Sequence, residues 1–178
     1  MKIAIMPGHV GKDSGAIDAT GSGDELYSVE AVITQSIASK ACMFGGLLGM
    51  QCLEAIGSFK NRILSTSDCG AGVEVHADIC NDERIRGYHA IYSPGSTAGK
   101  SLAEALDRAL GLTGQHIRAP HEDDRGLFIL KHTAYPCVVL ECGFLSNPAE
   151  EKILNNDVDL YNIAFQIIVG IREWLYRK

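Results

Sequence analysis

Short apolar runs alternate along this chain with longer stretches in which apolar residues recur at helical spacing. Several of the short runs are continuously apolar, which is typical of strands covered on both faces. They predict strands at residues 2–6, 51–56, 73–76, 89–92, 127–130 and 137–141. The longer stretches predict helices at about residues 28–48, 61–70, 96–112 and 157–176.

This order of elements predicts an α/β protein. We expect one domain over residues 1–178, built in three layers, with helices on both faces of a twisted, mixed but mostly parallel sheet of about six strands. The Gly-rich segment that follows the first strand and the segment HEDDRG before residue 127 predict loops. Ser146 and Asn147 predict a cap for a helix that starts near Pro148.

The charge balance excludes some classes of partner. A formal net charge of −6 argues against binding nucleic acid or an anionic membrane by bulk electrostatics. No apolar run approaches the roughly 20 residues that cross a bilayer, and the segment after Met1 lacks the apolar core and cleavage site of a signal peptide. We therefore expect a protein made in the cytoplasm. Its six cysteines include no CxxC pair, which favours reduced thiols.

Three side chains with useful chemistry end predicted strands. His9 follows the first strand, His76 ends the third, and Glu141 ends the last, in VVLECGFLSN. Ligands of open α/β sheets bind beyond the carboxyl ends of the strands, so these side chains are expected to meet at one sheet edge. Two imidazoles and a carboxylate there indicate a metal site with acid/base chemistry. Either histidine alone would more simply be a hydrogen-bonded structural residue.

A catalytic zinc ion usually has three protein ligands, so two histidines leave one ligand to find. An acid near the start of the first helix would lie beside His9, and both Glu25 and Glu30 are candidates. Glu25 stands three residues after Ser22, which also suits a helix-capping role. The residues alone leave this choice open.

Several motifs resemble a known family. The segments GHVGKDSGA, VHADICN and LFILKHTAYPCVVLECGFLSN, with an acid at the start of the first helix, resemble the zinc-dependent N-acetylmuramoyl-L-alanine amidases. Those enzymes occur in bacterial cell-wall remodelling and in phage endolysins. The resemblance extends from Lys2 to the last helix, and its most specific part is the C-terminal block that ends in ECGFLSN.

The resemblance implies roles for four residues. It assigns Zn²⁺ binding to His9, Glu30 and His76, and the catalytic acid/base role to Glu141. Glu30 is preferred to Glu25 because the family's helix runs at fairly constant length from its Glu to a Gly before the second strand, here taken as Gly49. The implied substrate is peptidoglycan, cut between the lactyl group of N-acetylmuramic acid and L-alanine of the stem peptide.

Departures from the family pattern affect the substrate-binding loops. Family members often have GHGGxDPGA and HxN, where this chain has GHVGKDSGA and HAD with Asp78. Two alternatives remain: a zinc peptidase acting on stem peptides, and a non-catalytic wall-binding module.

The biological setting follows from the same resemblance. The chain resembles the catalytic domain of a phage endolysin, which reaches the wall after release, or of a host enzyme that is exported with a signal this sequence lacks. Its net charge of −6 gives no attraction to an anionic wall, so a separate or missing wall-binding domain is also expected.

Overall fold

A computed structural model describes residues 1–9, 14–18, 28–111 and 118–177 of the chain. The strands are β1 (Lys2–Pro7), β2 (Ile17–Asp18), β3 (Ser28–Val29), β4 (Gln51–Glu54), β5 (Ala71–Asp78), β6 (His89–Tyr92), β7 (His121–Glu122) and β8 (Cys137–Phe144). The helices are α1 (Glu30–Leu47), α2 (Phe59–Ser65), α3 (Thr97–Leu110), α4 (Phe128–His132), α5 (Pro148–Leu154) and α6 (Asp157–Tyr176).

Six strands form the main sheet in the order β4-β1-β5-β8-β6-β7. All neighbouring pairs are parallel except β6 and β8, which are antiparallel. Strands β2 and β3 form a separate short antiparallel pair just before α1. The sheet therefore confirms the predicted mixed, mostly parallel α/β architecture. It also places the carboxyl ends of β1, β5 and β8 side by side.

One predicted strand is wrong. Residues 127–130 were expected to be extended, but α4 occupies Phe128–His132, and β7 supplies the sixth strand instead. The Asp123 carboxylate accepts the backbone N–H groups of Arg125, Gly126 and Leu127, which ties the chain into a turn that leads into the helix. A short apolar run cannot by itself distinguish a buried helical turn from a strand.

Helix boundaries depend on caps. Helix α2 starts at Phe59, two residues before the predicted start, because the Ser58 side chain accepts the N–H of Asn61. Helix α5 starts at Pro148 as predicted, and Asn147 caps it by accepting the N–H groups of Ala149 and Glu150.

Two hydrophobic cores lie on opposite faces of the sheet. Alternate residues of the central strands, such as Ile5, Val75 and Leu140, pack with α1, α3 and α6 in the larger core. The intervening positions, such as Met6 and Val139, pack on the other face with apolar residues of α2 and α4. This alternation is the period of two that strands impose, and it gives the three layers predicted from the sequence.

Two further features concern possible membrane spans and the cysteines. Within the described ranges, no helix combines the length and the apolar character needed to cross a membrane. All six cysteines are free thiols.

The packing of α1 can be tested with two residues on its opposite faces. Ile37 is fully buried in the larger core, whereas Val32 is 67% exposed. We expect Ile37→Ala to lower the free energy of unfolding by about 2–5 kcal/mol, because it leaves a cavity in the core. Val32→Ala is the matched control and should change it by less than about 0.5 kcal/mol. Urea denaturation measures both, and equal effects would contradict the placement of α1.

Candidate metal centre

Two histidines and a glutamate meet at the carboxyl edge of the sheet. His9 follows β1, Glu30 is the first residue of α1, and His76 lies near the end of β5. Each offers one possible metal-ligand atom, and these three atoms lie within 4.8 Å of one another. His76 Nδ1 is 2.9 Å from Glu30 Oε1, and His9 Nε2 is 3.5 Å from Glu30 Oε2. These are the three residues for which the sequence and the resemblance predicted metal binding.

Glu30 is held firmly in this position. Its side chain is buried, and its two oxygens accept the backbone N–H groups of Ala16 at 2.8 Å and Ala77 at 3.2 Å. Burial favours the neutral acid, but hydrogen bonds with His76 and Ala16 outweigh it and lower the pKa of Glu30. The positive end of the α1 dipole also favours a carboxylate here. Glu30 is therefore ionised and fixed before any ligand binds.

Two glycines allow the close approach of these side chains. A Cβ atom on Gly8 would collide with the His76 ring. A Cβ atom on Gly15, which has a φ of +67°, would lie 2.5 Å from Glu30 Oε2 and 2.7 Å from the His9 ring. The glycine of the GH motif is therefore needed for the space that it leaves to His76.

His76 contacts a carboxylate with each ring nitrogen. Nδ1 faces Glu30, while Nε2 lies 3.3 Å from Oε2 of Glu74, two residues earlier on the same face of β5. Burial alone would lower the pKa of His76, but hydrogen bonds with Glu30 and Glu74 and the charge of Glu141 raise it to about 10. Without a metal ion, the imidazole is thus a cation between two acids.

Glu141 lies beside this cluster on the neighbouring strand. It is the register partner of His76 in the parallel β5–β8 pair, and the residue is only 5% exposed. Burial raises the pKa of Glu141 to about 7, with the charges of Asp78 and Glu30 adding to the effect and those of His76 and Arg125 opposing it. Among the residues described, no hydrogen-bond partner reaches its buried Oε2. Such a carboxyl group is suited to accept and release a proton near neutral pH.

A cavity of about 360 Å³ joins these groups. Arg125 brings a guanidinium into it, with Nη2 3.8 Å from Glu141 Oε1. The lining residues are His9, Ala16, Glu30, Glu74, His76, Ala77, Asp78, Ile79, Arg125, Leu127, Val139 and Glu141. Several carboxylates in a concave site of this size favour binding of a cation together with a small part of a substrate.

The sequence analysis missed two residues of this region, Arg62 and Glu74. The buried Arg62 guanidinium forms an ion pair with Glu74, with 2.6 Å between Nη1 and Oε1. An acid between two valines in a buried strand, as in GVEVHAD, is the sequence feature that could have revealed the pair.

The alternative ligand and other histidines of the chain are placed differently. Glu25, the alternative ligand, lies outside the described residues, as do His116 and residues 10–13 of the GHVGKDSGA loop. His89 is buried and stacks on His121 with ring centroids 5.5 Å apart, and burial lowers its pKa to about 4. It is therefore a neutral structural residue.

Comparison with known proteins reveals the chain's relatives. The family model described as N-acetylmuramoyl-L-alanine amidase matches residues 60–173, which is more than half of the chain. A probable cell wall amidase, LytH of Staphylococcus epidermidis, is 23% identical over 97% of this chain and 57% of its own length. The germination-specific N-acetylmuramoyl-L-alanine amidase of Bacillus subtilis is 22% identical over 66% of this chain and 49% of its own length. The chain thus spans about half the length of these curated relatives.

Solved structures give the same fold. The CwlD amidase from Clostridioides difficile, determined in complex with the GerS lipoprotein, superposes with a TM-score of 0.87 at 24% identity and covers 99% of both chains. At that identity the likeness establishes the architecture alone. The match of the family model to residues 60–173 shows that this chain belongs to the N-acetylmuramoyl-L-alanine amidase family, whose members are hydrolases.

Proposed function

We propose that this chain hydrolyses the amide bond between the lactyl group of N-acetylmuramic acid and L-alanine in peptidoglycan, with Zn²⁺ bound by His9, Glu30 and His76. The observation that carries the proposal is the convergence of three ligand atoms within 4.8 Å, next to a buried acid with a raised pKa, in a chain of this family.

The donor set suits zinc. Two imidazole nitrogens and one carboxylate oxygen form a common ligand set of catalytic zinc sites, which keep a further position open for water or substrate. Glu30 supports this role because its pKa is lowered and its carboxylate is already oriented by the N–H groups of Ala16 and Ala77. A zinc ion bound there would polarise water and the scissile carbonyl.

Glu141 moves the proton. Its carboxylate takes a proton from the attacking water while the new C–O bond forms at the amide carbon. The same group then donates that proton to the nitrogen of L-alanine as the C–N bond breaks. A pKa raised to about 7 suits both halves of this exchange, since the carboxylate has to be regained after each transfer.

The net charge bears on how the protein reaches the wall. The net charge of −6 gives no electrostatic attraction toward an anionic wall polymer. We therefore propose that, in the whole protein, a separate wall-binding domain or partner brings the catalytic domain to peptidoglycan.

Product analysis tests this function. Wild-type protein should release L-alanine amino termini from purified peptidoglycan without new reducing sugar ends. Glu141→Gln should retain zinc but lose activity by about 10²–10⁴-fold, the contribution typical of general acid–base catalysis. Glu150→Gln is a control, because Glu150 accepts the backbone N–H groups of Gly87 and Phe144 and does not line the cavity. Release of amino termini from other stem-peptide positions, or full activity of Glu141→Gln, would contradict the proposal.

The raised pKa of Glu141 predicts a pH effect on the metal-free protein. Glu141 binds its proton more tightly in the folded protein than in the unfolded chain. The folded protein is therefore destabilised as pH rises from the pKa of Glu141 in the unfolded chain, 4.5, to its pKa in the folded protein, about 7. From pH 5 to pH 8 this amounts to about 2–3 kcal/mol. Glu141→Gln removes the titrating group, so its free energy of unfolding should rise relative to wild type by that amount over the same interval. Urea denaturation with a chelator present measures the difference, and a difference independent of pH would refute the assignment.

A further inference from the structure

A buried guanidinium lies directly behind the proposed metal centre. Arg62 belongs to α2, on the sheet face opposite the larger core, and is only 2% exposed. Its Nη1 donates to Glu74 Oε1 at 2.6 Å and to the carbonyl oxygen of Pro7. Its Nη2 donates to the carbonyl oxygen of Gly8 at 3.2 Å. Pro7 and Gly8 are the two residues that precede His9, so this one side chain anchors the backbone that carries the first histidine.

Glu74 carries the connection to the second histidine. Its carboxylate is buried in the middle of β5 and bridges two partners, Arg62 through Oε1 and His76 Nε2 through Oε2 at 3.3 Å. The two ring nitrogens of His76 thus face different carboxylates, Nδ1 that of Glu30 and Nε2 that of Glu74. If Nδ1 bound a metal ion, Nε2 would carry the ring proton and would donate it to Glu74.

Fold stability alone gives little reason for this arrangement. Removing a guanidinium and a carboxylate from water is costly, and well-packed apolar residues of similar volume often stabilise a core as well or better. A histidine ligand, in contrast, gains from such a partner. A carboxylate on its second nitrogen fixes the tautomer and the ring orientation, and makes the imidazole a stronger donor to the metal.

Resting on the function proposed above, we propose that Arg62 and Glu74 are positioning residues of the metal centre. Glu74 orients His76 through its outer nitrogen. Arg62 holds Glu74 in place and, through the carbonyl oxygens of Pro7 and Gly8, fixes the approach of His9. The two histidines then depend on a single buried ion pair for their relative position.

Zinc affinity tests this inference without relying on catalysis. The dissociation constant of Zn²⁺ is measured on the full chain by competition with a chromogenic chelator, and thermal unfolding of the metal-free protein is recorded beside it. Glu74→Gln should weaken zinc binding by about 10–100-fold, the usual cost of removing a carboxylate partner from a histidine ligand. Arg62→Lys should also weaken it, because one ammonium group cannot replace the fork that reaches Glu74, Pro7 and Gly8.

A matched control separates positioning from general destabilisation. The Glu150 carboxylate accepts two backbone N–H groups, at Gly87 and Phe144, and does not line the cavity. Glu150→Gln should lower the unfolding temperature but leave zinc affinity unchanged. If wild type binds zinc and both Glu74→Gln and Arg62→Lys bind it equally tightly, the inference is overturned while the proposed function stands. If wild type itself binds no zinc, the proposed function fails, and this inference with it.

Discussion

Carboxylates buried in a protein have to be balanced by positive charge, and three of them, Glu30, Glu74 and Glu141, line one cavity at the carboxyl edge of this sheet. Two guanidinium groups supply part of that charge: the buried Arg62 pairs with Glu74, and Nη2 of Arg125 lies 3.8 Å from Glu141 Oε1. In the metal-free protein the remaining negative charge is met by protonation: the pKa values of His76 and Glu141 are both raised. A divalent cation bound by His9, Glu30 and His76 would supply the missing charge and free Glu141 to act as a base.

The topology of the sheet brings these charges together. Parallel pairing of β1, β5 and β8 aligns their carboxyl ends, and the register sets His76 directly beside Glu141. Because alternate residues of a strand face opposite sides, Glu74 and His76 share the face toward α2, where Arg62 lies. Glu30 reaches the same edge from the start of α1, and Gly8 leaves the space that the His76 ring occupies.

Much of this arrangement could be predicted from the sequence. Apolar runs located the central strands, and the rule that ligands gather at strand carboxyl ends singled out His9, His76 and Glu141, which the structure brings to one edge. The residues alone could not decide between Glu25 and Glu30, because both acids lie near the start of the predicted first helix in the sequence. The resemblance to the family favoured Glu30, and the structure places Glu30 against both histidines.

The remaining differences between the sequence predictions and the structure come from tertiary contacts. Residues 128–130 form part of α4 because Asp123 accepts three backbone N–H groups just before it, an interaction that hydrophobic patterning cannot register. The Arg62–Glu74 pair was missed for a similar reason. Glu74 stands out only as an acid between two valines, and Arg62 looks like an ordinary charged position until the fold buries it against Glu74.

The most direct test of the metal centre compares two acids of the same segment. Zinc content is measured by atomic spectroscopy on wild-type protein, Glu30→Gln and Glu25→Gln after loading with zinc and removal of excess metal. Wild type and Glu25→Gln should each hold about one zinc ion per chain, and Glu30→Gln should hold much less, because it loses one of three ligands. Zinc retained by Glu30→Gln but lost from Glu25→Gln would contradict the account.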